Sequence, residues 1–484
     1  MKKVLSLFLA LIITLSSMAV LSVSGFADDN VAIHAEDALH AEGYKIVNAK
    51  GEDVFLKGLN LGGWLIMEDW FTPVYNDATG DVYTYEVLEE RFGTEKTYEL
   101  MNIYQDNWIQ ETDFKNIADM GFNCVRIPFW YRNFQSDNNG TWILDDNGEI
   151  DLSRLEWAVE MCRKYGLYAI LDLHAANGVQ GYADHAGHKD RYHFFDQNEK
   201  GEWYRQQATE LWRVIAERFA GDPAIAMFDL INEPMCNVVI ADHSKIWEYY
   251  DMAYDAIRAE DPDRMITMIG TWSVDKLPDP DDYGWENVVY QYHQYETTKS
   301  AYTTRIATGW ACFYDVPQYA GEFHPVGGNV TLDDAINAYN SNDVVWTLWT
   351  YKGYNSWAAW SDWFCYGSTS DEYIVDLHND SYETIASKWG EVMQTNSGTF
   401  YEGQLFKVAK KYLPEAKVEA VPFNTQEDVE NYVADSVIKG SYTNKNDCLL
   451  CNYFKQFADM PIISIISRWI HSLLHAISTS NNMK

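Results

Sequence analysis

The chain has 484 residues, 47% of them hydrophobic and 15% aromatic, which is enough to bury a large core and still line a cleft with rings. Its 72 acidic and 36 basic residues give a net charge of -36. A field of that sign repels phosphate backbones and anionic lipid, so the composition argues against nucleic-acid binding and favours a neutral substrate.

The N-terminal residues 1–27 are typical of a signal peptide. Lys2 and Lys3 form a basic start, an apolar segment covers residues 4–23, and small residues at 25 and 27 offer a cleavage site before two aspartates. Because the apolar segment is near the length of a membrane span, an uncleaved anchor is the alternative. The pattern favours a secreted, extracellular protein that is not held in a membrane.

Short apolar segments downstream predict strands. Residues 44–57 predict a hairpin with its turn around Lys50–Gly51. Eight further segments predict strands at Val54–Leu59, Cys124–Pro128, Tyr168–Asp172, Ile225–Leu230, Met265–Ile269, Val288–Tyr292, Tyr319–Glu322 and Val344–Trp349.

Segments with helical periodicity separate these strands. They include residues 110–121, 152–166, 203–221 and 246–262, and several end at Gly or Asp-Pro, as helices do. Eight strands alternating with helices predict an α/β fold, a closed (β/α)8 TIM barrel that forms a single catalytic domain over residues 44–415. An open doubly wound sheet is the alternative, but no Gly-rich phosphate loop follows any strand.

The last segment, residues 441–484, differs in composition, with four basic and two acidic residues and an interrupted apolar run. A partner helix, a membrane-surface helix and a non-native extension all stay open, and no function is assigned to it. Of the seven cysteines, Cys448 and Cys451 form a lone C-x-x-C without the second pair that a zinc site needs. Most cysteines are interpreted as buried structural thiols. We expect the protein to be a monomer.

Active-site residues of such a barrel lie at the C-terminal ends of its strands. Polar residues recur at five of these ends and tryptophans occur at a sixth, which favours a functional role over separate structural ones. They are Arg126, His174, Asn232, Glu233, His293, Tyr295, Glu322, Trp346 and Trp349.

Two carboxylates in this set, Glu233 and Glu322, end the fourth and seventh strands, which lie across the barrel from each other. Two facing carboxylates are the minimum needed to cleave a glycosidic bond, one protonated to assist the leaving oxygen and one ionised to attack the anomeric carbon. Arg126 would keep the nucleophile ionised. Asn232 would bind the 2-hydroxyl of the reacting sugar.

The remaining residues of the set would support this pair. His293 is placed to hydrogen-bond Glu233, and Tyr295 to orient Glu322. Trp349 is placed to form the floor of a sugar subsite. Taken singly, each of these residues has an equally ordinary structural role, and the prediction depends on their occurring together.

A metal-dependent mechanism is the competing chemistry. The segment after the third strand carries His174, His185, His188 and His193. It lacks the H-E-x-x-H or H-x-H spacing that would define a metal site. We therefore predict no metal and no cofactor, and interpret the segment as a polar loop lining the cleft.

The motifs resemble glycoside hydrolase family 5, of the clan whose catalytic carboxylates end strands 4 and 7. They are "GLNLGGWLIMEDWFTP", "DFKNIADMGFNCVRIPFWY", "AILDLHAANGVQ", "FDLINEP", "YQYHQY", "AGEF" and "WTLWTYKG", which cover residues 54–355. The resemblance implies that Glu233 is the acid/base and Glu322 the nucleophile. It matches Arg126, His174, Asn232, His293, Tyr295 and Trp349 to the family's other site positions.

Within the family, "NLGGWLIMEDWFTP" and "ETDFKNIADMGFNCVRIP" are most similar to the exo-β-1,3-glucanase branch. That similarity implies that Glu68 binds the terminal sugar. This sequence departs from the branch at Ala175, where Gly usually follows Asp-Leu-His, and in the stretches "YQYHQYE" and "GEFHP". The expected function is a retaining β-glycosidase acting on β-linked glucan, leaning to a glucan exo-β-1,3-glucosidase. An endo-acting cellulase, a β-1,6-glucanase and a non-catalytic carbohydrate-binding protein are the alternatives.

Overall fold

The computed structural model describes residues 32–74, 84–188, 192–235, 243–312, 314–354, 363–368, 372–397, 399–400 and 410–413. The predicted signal peptide, the segment 441–484 and the pair Cys448 and Cys451 lie outside the described residues. Cys124, Cys162 and Cys365 are buried and free, as interpreted from the sequence.

The barrel consists of eight parallel strands. After the short strands β1 (Leu39–Glu42) and β2 (Lys45–Asn48), its members are β3 (Lys57–Asn60), β4 (Cys124–Trp130), β5 (Tyr168–Ala175), β6 (Ile225–Asp229), β7 (Met265–Ile269), β8 (Val288–Gln294), β9 (Gln318–Phe323) and β10 (Val345–Leu348). Each strand pairs with the next along the chain, and β10 returns to pair with β3, which closes the sheet. The predicted TIM barrel and its eight strands are confirmed.

Helices follow or precede the strands around the barrel. They are α1 (Thr84–Phe92), α2 (Thr94–Trp108), α3 (Glu111–Asp119), α4 (Ser153–Tyr165), α5 (Glu199–Arg218), α6 (Ser244–Glu260), α7 (Lys299–Ala311), α8 (Leu332–Asn340) and α9 (Tyr382–Lys388). A small sheet joins β11 (Lys352–Gly353), β12 (Tyr366–Gly367) and β13 (Thr399–Phe400). No helix among the described residues has the length and apolar character needed to cross a bilayer.

The hairpin at the start of the domain differs from the predicted one. β1 and β2 pair antiparallel from Leu39↔Asn48 to Glu42↔Lys45, so the tight turn is at Gly43–Tyr44. The predicted turn at Lys50–Gly51 is also present, but beyond it only a single bridge, Val47↔Asp53, forms.

The barrel interior is layered. Its N-terminal layer is apolar and is formed by alternate residues of the strands, together with hairpin side chains: Leu39, Ile46, Leu56, Cys124, Ile170, Met227, Met265, Val289, Tyr319 and Val345. Two residues further along several strands, the inward positions become polar. Side chains of a strand alternate between its two faces, so this change places the polar groups in one layer at the C-terminal end.

Candidate active site

Arg126 occupies the centre of the polar layer. It projects from β4, is fully buried, and contacts three carboxylates: Asp172 (3.0 Å), Asp229 (2.8 Å) and Glu322 (2.7 Å). Burial raises the pKa of Asp172 and of Asp229 to about 7, against the opposing attraction of Arg126. The same carboxylates raise the pKa of Arg126 well above its ordinary value, although burial opposes this. Arg126 therefore remains charged and holds Glu322 in a fixed position.

Sequence reasoning missed two of these partners. Asp172 lies within β5 and Asp229 is the last residue of β6, and both precede the residues singled out in the sequence, His174, Asn232 and Glu233. A signal was present, because Asp172 is two residues before His174 and must face the same side of its strand. A charged residue inside an apolar strand was thus a sign of a buried partner.

Glu322 faces the barrel interior because of an irregularity in β9. The register with β8 shifts after Tyr292, so that His293 pairs with Glu322 and not with Gly321. A Cβ on Gly321 would lie 1.6 Å from Gln291 Oε1, so only glycine permits this close approach. Bulges of this kind re-aim a side chain next to functional sites. Here the bulge directs Glu322 inward.

Two groups donate to the Glu322 carboxylate, and a third group lies close to it. Arg126 Nη1 and the Tyr295 hydroxyl donate to its two oxygens at 2.7 and 2.9 Å, and His293 Nδ1 is 3.4 Å from Oε2. Burial raises the pKa of this carboxyl, but the attraction of His293 and Arg126 outweighs it, and the pKa lies below its ordinary value. Burial raises the pKa of Tyr295 well above its usual range, so its hydroxyl stays a donor. Glu322 is thus held in the ionised form.

Glu233 follows β6 in a strained backbone conformation. Its φ is 37°, in the left-handed region that non-glycine residues seldom adopt. Such strain concentrates at functional sites, where the surrounding packing maintains it. Its Oε1 lies 2.6 Å from His293 Nδ1 and its Oε2 lies 3.1 Å from His185 Nε2. Burial raises the pKa of Glu233, but His185 and His293 together lower it well below its ordinary value.

The two candidate carboxylates converge. One oxygen of Glu233, one oxygen of Glu322 and a ring nitrogen of His293 all lie within 4.8 Å of one another. Both carboxyl groups are almost fully buried. A metal ion would find three ligands at this point, and it would occupy both carboxylates at once.

His174, Asn232 and Trp349 form a packed wall beside the carboxylates. His174 Nδ1 is 2.6 Å from Asp172 Oδ2, and its Nε2 is 3.3 Å from Asn232 Nδ2. Burial lowers the pKa of His174 well below its usual value. The neutral ring can therefore donate to Asp172 and accept from Asn232. The Trp349 ring stacks on His174 at 5.6 Å.

Asn232 is also engaged on its other side, since its Oδ1 accepts from Arg126 Nη2 at 3.0 Å. Trp346, considered beside Trp349 in the sequence, faces the other way. It packs outside the barrel against Phe122 and Phe323 and donates to Asn340. The alternation of β10 separates the two tryptophans.

A series of aromatic contacts connects Glu68 with Tyr295 beside the carboxylates. The Tyr295 ring stacks on Trp363 at 5.9 Å, and Trp363 contacts Trp70 edge-on at 5.8 Å. Trp70 Nε1 donates to Glu68 Oε2 at 2.8 Å. His324 stacks on the same Trp363 at 4.1 Å. The sequence analysis did not identify Trp70, Trp363 or His324, which come from three segments far apart in the chain.

The histidines of the loop after β5 do not gather at one point in the described structure. His188 lies 3.7 Å from Glu86, and His193 lies 3.0 Å from Asp196. Among the described histidines of this loop, His185 is the one that reaches the carboxylate pair, through Glu233. The described part of the loop therefore contributes a contact to one carboxylate.

Comparison with known proteins finds similarity over most of the part of the chain that forms the barrel. The model of the family described as cellulase (glycosyl hydrolase family 5) matches residues 83–355, more than half of the chain. A β-xylosidase of Phanerodontia chrysosporium is 29% identical over 53% of this chain and 52% of its own. Glucan 1,3-β-glucosidases of Candida oleophila and Wickerhamomyces anomalus are each 29% identical, over 51% and 50% of this chain and 59% and 56% of their own. The chain thus spans little more than half the length of these relatives.

Proposed function

The chain belongs to glycosyl hydrolase family 5, and from this we propose that it is a retaining β-glycosidase that hydrolyses β-linked glucan. The observation that carries the proposal is the closeness of the two carboxylates, since one oxygen of Glu233 lies within 4.8 Å of one oxygen of Glu322. Retaining enzymes keep these carboxyl groups about 5–5.5 Å apart, whereas inverting enzymes need about 6.5–9.5 Å to admit a water.

In the proposed first step, a Glu322 oxygen attacks the anomeric carbon. The glycosidic C–O bond breaks, and Glu233 gives its proton to the leaving oxygen. In the second step, Glu233 takes a proton from a water, whose oxygen displaces Glu322 and releases the sugar with its original configuration. Arg126 and Tyr295 keep the attacking carboxylate ionised and oriented. The buried site excludes bulk water, which strengthens these interactions.

The acid role requires Glu233 to hold a proton, and His185 opposes this in the free protein by lowering the pKa of Glu233. We propose that the sugar on the leaving side displaces His185 from Glu233 Oε2. Because the arm of kcat/KM on the alkaline side reports the acid of the free enzyme, His185→Ala should move that arm to higher pH.

A pH series of kcat/KM on an aryl β-glucoside measures this shift. His188→Ala is the matched control, because it removes a histidine of the same loop that contacts Glu86 and not Glu233. An alkaline arm that stays in place, or moves to lower pH, in His185→Ala would show that His185 does not control the acid.

For the substrate, we lean to exo-acting cleavage of β-1,3-glucan, supported by the relatives named glucan 1,3-β-glucosidase. We expect glucose alone to be released from laminarin from the earliest time points, with the β-anomer appearing first by NMR. Cellulose, pustulan and xylan, run in parallel with and without EDTA, test the other linkages, the β-xylosidase activity and any metal requirement.

Each outcome of that panel has a consequence. Oligosaccharides as first products would indicate an endo-acting enzyme. An initial α-anomer would contradict the retaining mechanism, and binding without cleavage on every glucan would favour a non-catalytic carbohydrate-binding protein. Loss of activity in EDTA would favour a cation at the Glu233, His293 and Glu322 cluster.

We further propose export and action outside the cell, as a monomer that is not held in a membrane, which suits a polymeric substrate. The support is the sequence pattern of residues 1–27, which lie outside the described structure. Mass spectrometry of the secreted protein should find a new N-terminus at Asp28. Recovery of the intact N-terminus in a membrane fraction would contradict export by cleavage.

A further inference from the structure

A second cavity lies between the outer face of the barrel and α7, near the N-terminal end of β9 and away from the carboxylates. Its volume is about 300 Å³, and its aromatic walls are Tyr44, Tyr290, Trp310 and Tyr314. Gln318, the first residue of β9, also lines it. Gln318 and Glu322 are four residues apart on one strand, so the cavity is about 13 Å from the catalytic layer at about 3.3 Å per residue.

Gln318 is the unusual feature of this cavity. Its side chain is 2% exposed, yet neither its amide oxygen nor its amide nitrogen has a hydrogen-bond partner in the described part of the chain. A Cβ on Gly309 would lie 2.3 Å from Gln318 Oε1, so the glycine in α7 makes room for the amide. Buried amides are normally bonded, because leaving them without partners costs stability. The Gln318 side chain therefore lines the cavity with an unused donor group and an unused acceptor, both covered in the free protein, which a ligand would reach once the side chain turns into the cavity.

The aromatic rings around the amide line the cavity with their apolar surfaces. The Tyr290 and Tyr314 hydroxyls are already used, since they donate to the carbonyls of Pro278 and Leu277. Tyr44, 45% exposed at the tip of the β1–β2 turn, meets Trp310 edge-on at 5.8 Å. These rings form an apolar wall at the mouth of the cavity.

The turn also brings a carboxylate to the rim. Gly43 has φ 57°, and a Cβ there would lie 3.3 Å from Asp315 Oδ1, so the turn packs directly against Asp315. Asp315 lines the cavity and adds an acceptor. An acidic rim on a chain of net charge -36 disfavours an anionic ligand.

We propose that this cavity is a second carbohydrate site, which binds one sugar unit of a neutral glucan away from the catalytic centre. Apolar rings cover the face of a sugar, the Gln318 amide pairs with neighbouring hydroxyls as donor and acceptor, and Asp315 accepts another. A volume near 300 Å³ is at the lower end of ligand pockets. The choice of glucan rests on the proposed function, whereas the cavity and its polar groups do not.

The test counts sugar sites in the full chain carrying Glu322→Gln, so that ligand is not consumed. Calorimetric titration with laminaritriose should give two sites. Adding Tyr44→Ala or Gln318→Met should leave one. Trp203→Ala is the matched control, because Trp203 is equally exposed, at 45%, but lies on α5, and it should leave both sites. With Glu322 intact, Tyr44→Ala and Gln318→Met should keep wild-type turnover of an aryl β-glucoside.

One site in every variant, or a second site unaffected by Tyr44→Ala and Gln318→Met, would overturn the proposal. A fall of several degrees in the melting temperature of Gln318→Met would overturn it too, because it would show that the amide already has a partner. Titrations with glucose, xylose and galactose test sugar binding at the cavity independently of glucan hydrolysis. Binding of any of them that depends on Tyr44 supports the cavity even if no glucan is hydrolysed, and hydrolysis without such binding supports only the proposed function.

Discussion

Replacing Glu322 with alanine is expected to lower kcat/KM on β-glucan by more than about 10⁴-fold, a loss of about 5 kcal/mol of transition-state stabilisation. The reason is that the glycosyl-enzyme cannot form without this carboxylate, and the other groups that contact it, Arg126 and Tyr295, cannot attack carbon. Replacing Glu233 should cost about 10²–10⁴-fold, the usual contribution of a general acid. Steady-state assays on an aryl β-glucoside and on laminarin measure both losses.

Rescue by azide distinguishes the two roles. In Glu322→Ala, azide should take the place of the nucleophile and give the α-glycosyl azide. In Glu233→Ala, azide should attack the glycosyl-enzyme and give the β-product. Glu296→Gln is the control, because Glu296 pairs with Arg305 at 3.1 Å and lies outside the carboxylate cluster. Turnover near the wild-type rate in either alanine variant, or rescue with the opposite anomers, would remove the assigned role.

Replacing Arg126 with methionine is expected to destabilise the fold as well as abolish activity. It leaves three buried carboxylates, Asp172, Asp229 and Glu322, without their shared cation. Breaking a buried ion pair from one side costs about 3–5 kcal/mol. Chemical denaturation at pH 8 should show a loss of that size, together with a fall in activity comparable to that of the Glu322 variants.

The loss should depend on pH in a definite direction. Burial raises the pKa of Asp172 and Asp229 to about 7 in the folded protein, above the value of about 3.9 in an unfolded chain. The folded state then binds more protons between these values, so it is favoured as pH falls through about 7. The two aspartates become neutral there and need the cation less, so Arg126→Met should be less destabilised at pH 5.5 than at pH 8.

Arg213→Met is the matched control for this prediction. Arg213 also contacts three carboxylates, Glu210, Glu217 and Glu260, at 2.9 to 3.1 Å, but on the surface. Exposed pairs contribute about 0–1 kcal/mol each. A loss in Arg126→Met no larger than that of Arg213→Met, or one that grows as pH falls, would contradict the account of Arg126 as the cation of a buried cluster.

Much of the fold could be predicted because its signals are local. Most barrel strands are short apolar runs, and several of the intervening helices show their own periodicity and end at Gly or Asp-Pro. The strand Met265–Ile269 has the predicted bounds, and Val54–Leu59 shifted only to Lys57–Asn60. Once the strands are known, the rule that their C-terminal ends meet leads directly to Glu233 and Glu322 as a candidate pair.

The tertiary structure decided how those residues are arranged. By simple alternation Glu322 would face outward, and only the bulge against β8, with Gly321 packed on Gln291, directs it to His293. The partners of Arg126 come from β5, β6 and β9, and the contact of His185 with Glu233 depends on the path of a loop. The sequence by itself determined which elements form and which of their ends carry chemistry, because periodicity and chain breaks act over a few residues. Register shifts, buried charge clusters and the second cavity depend on packing between segments far apart in the chain, and only the folded barrel decides them.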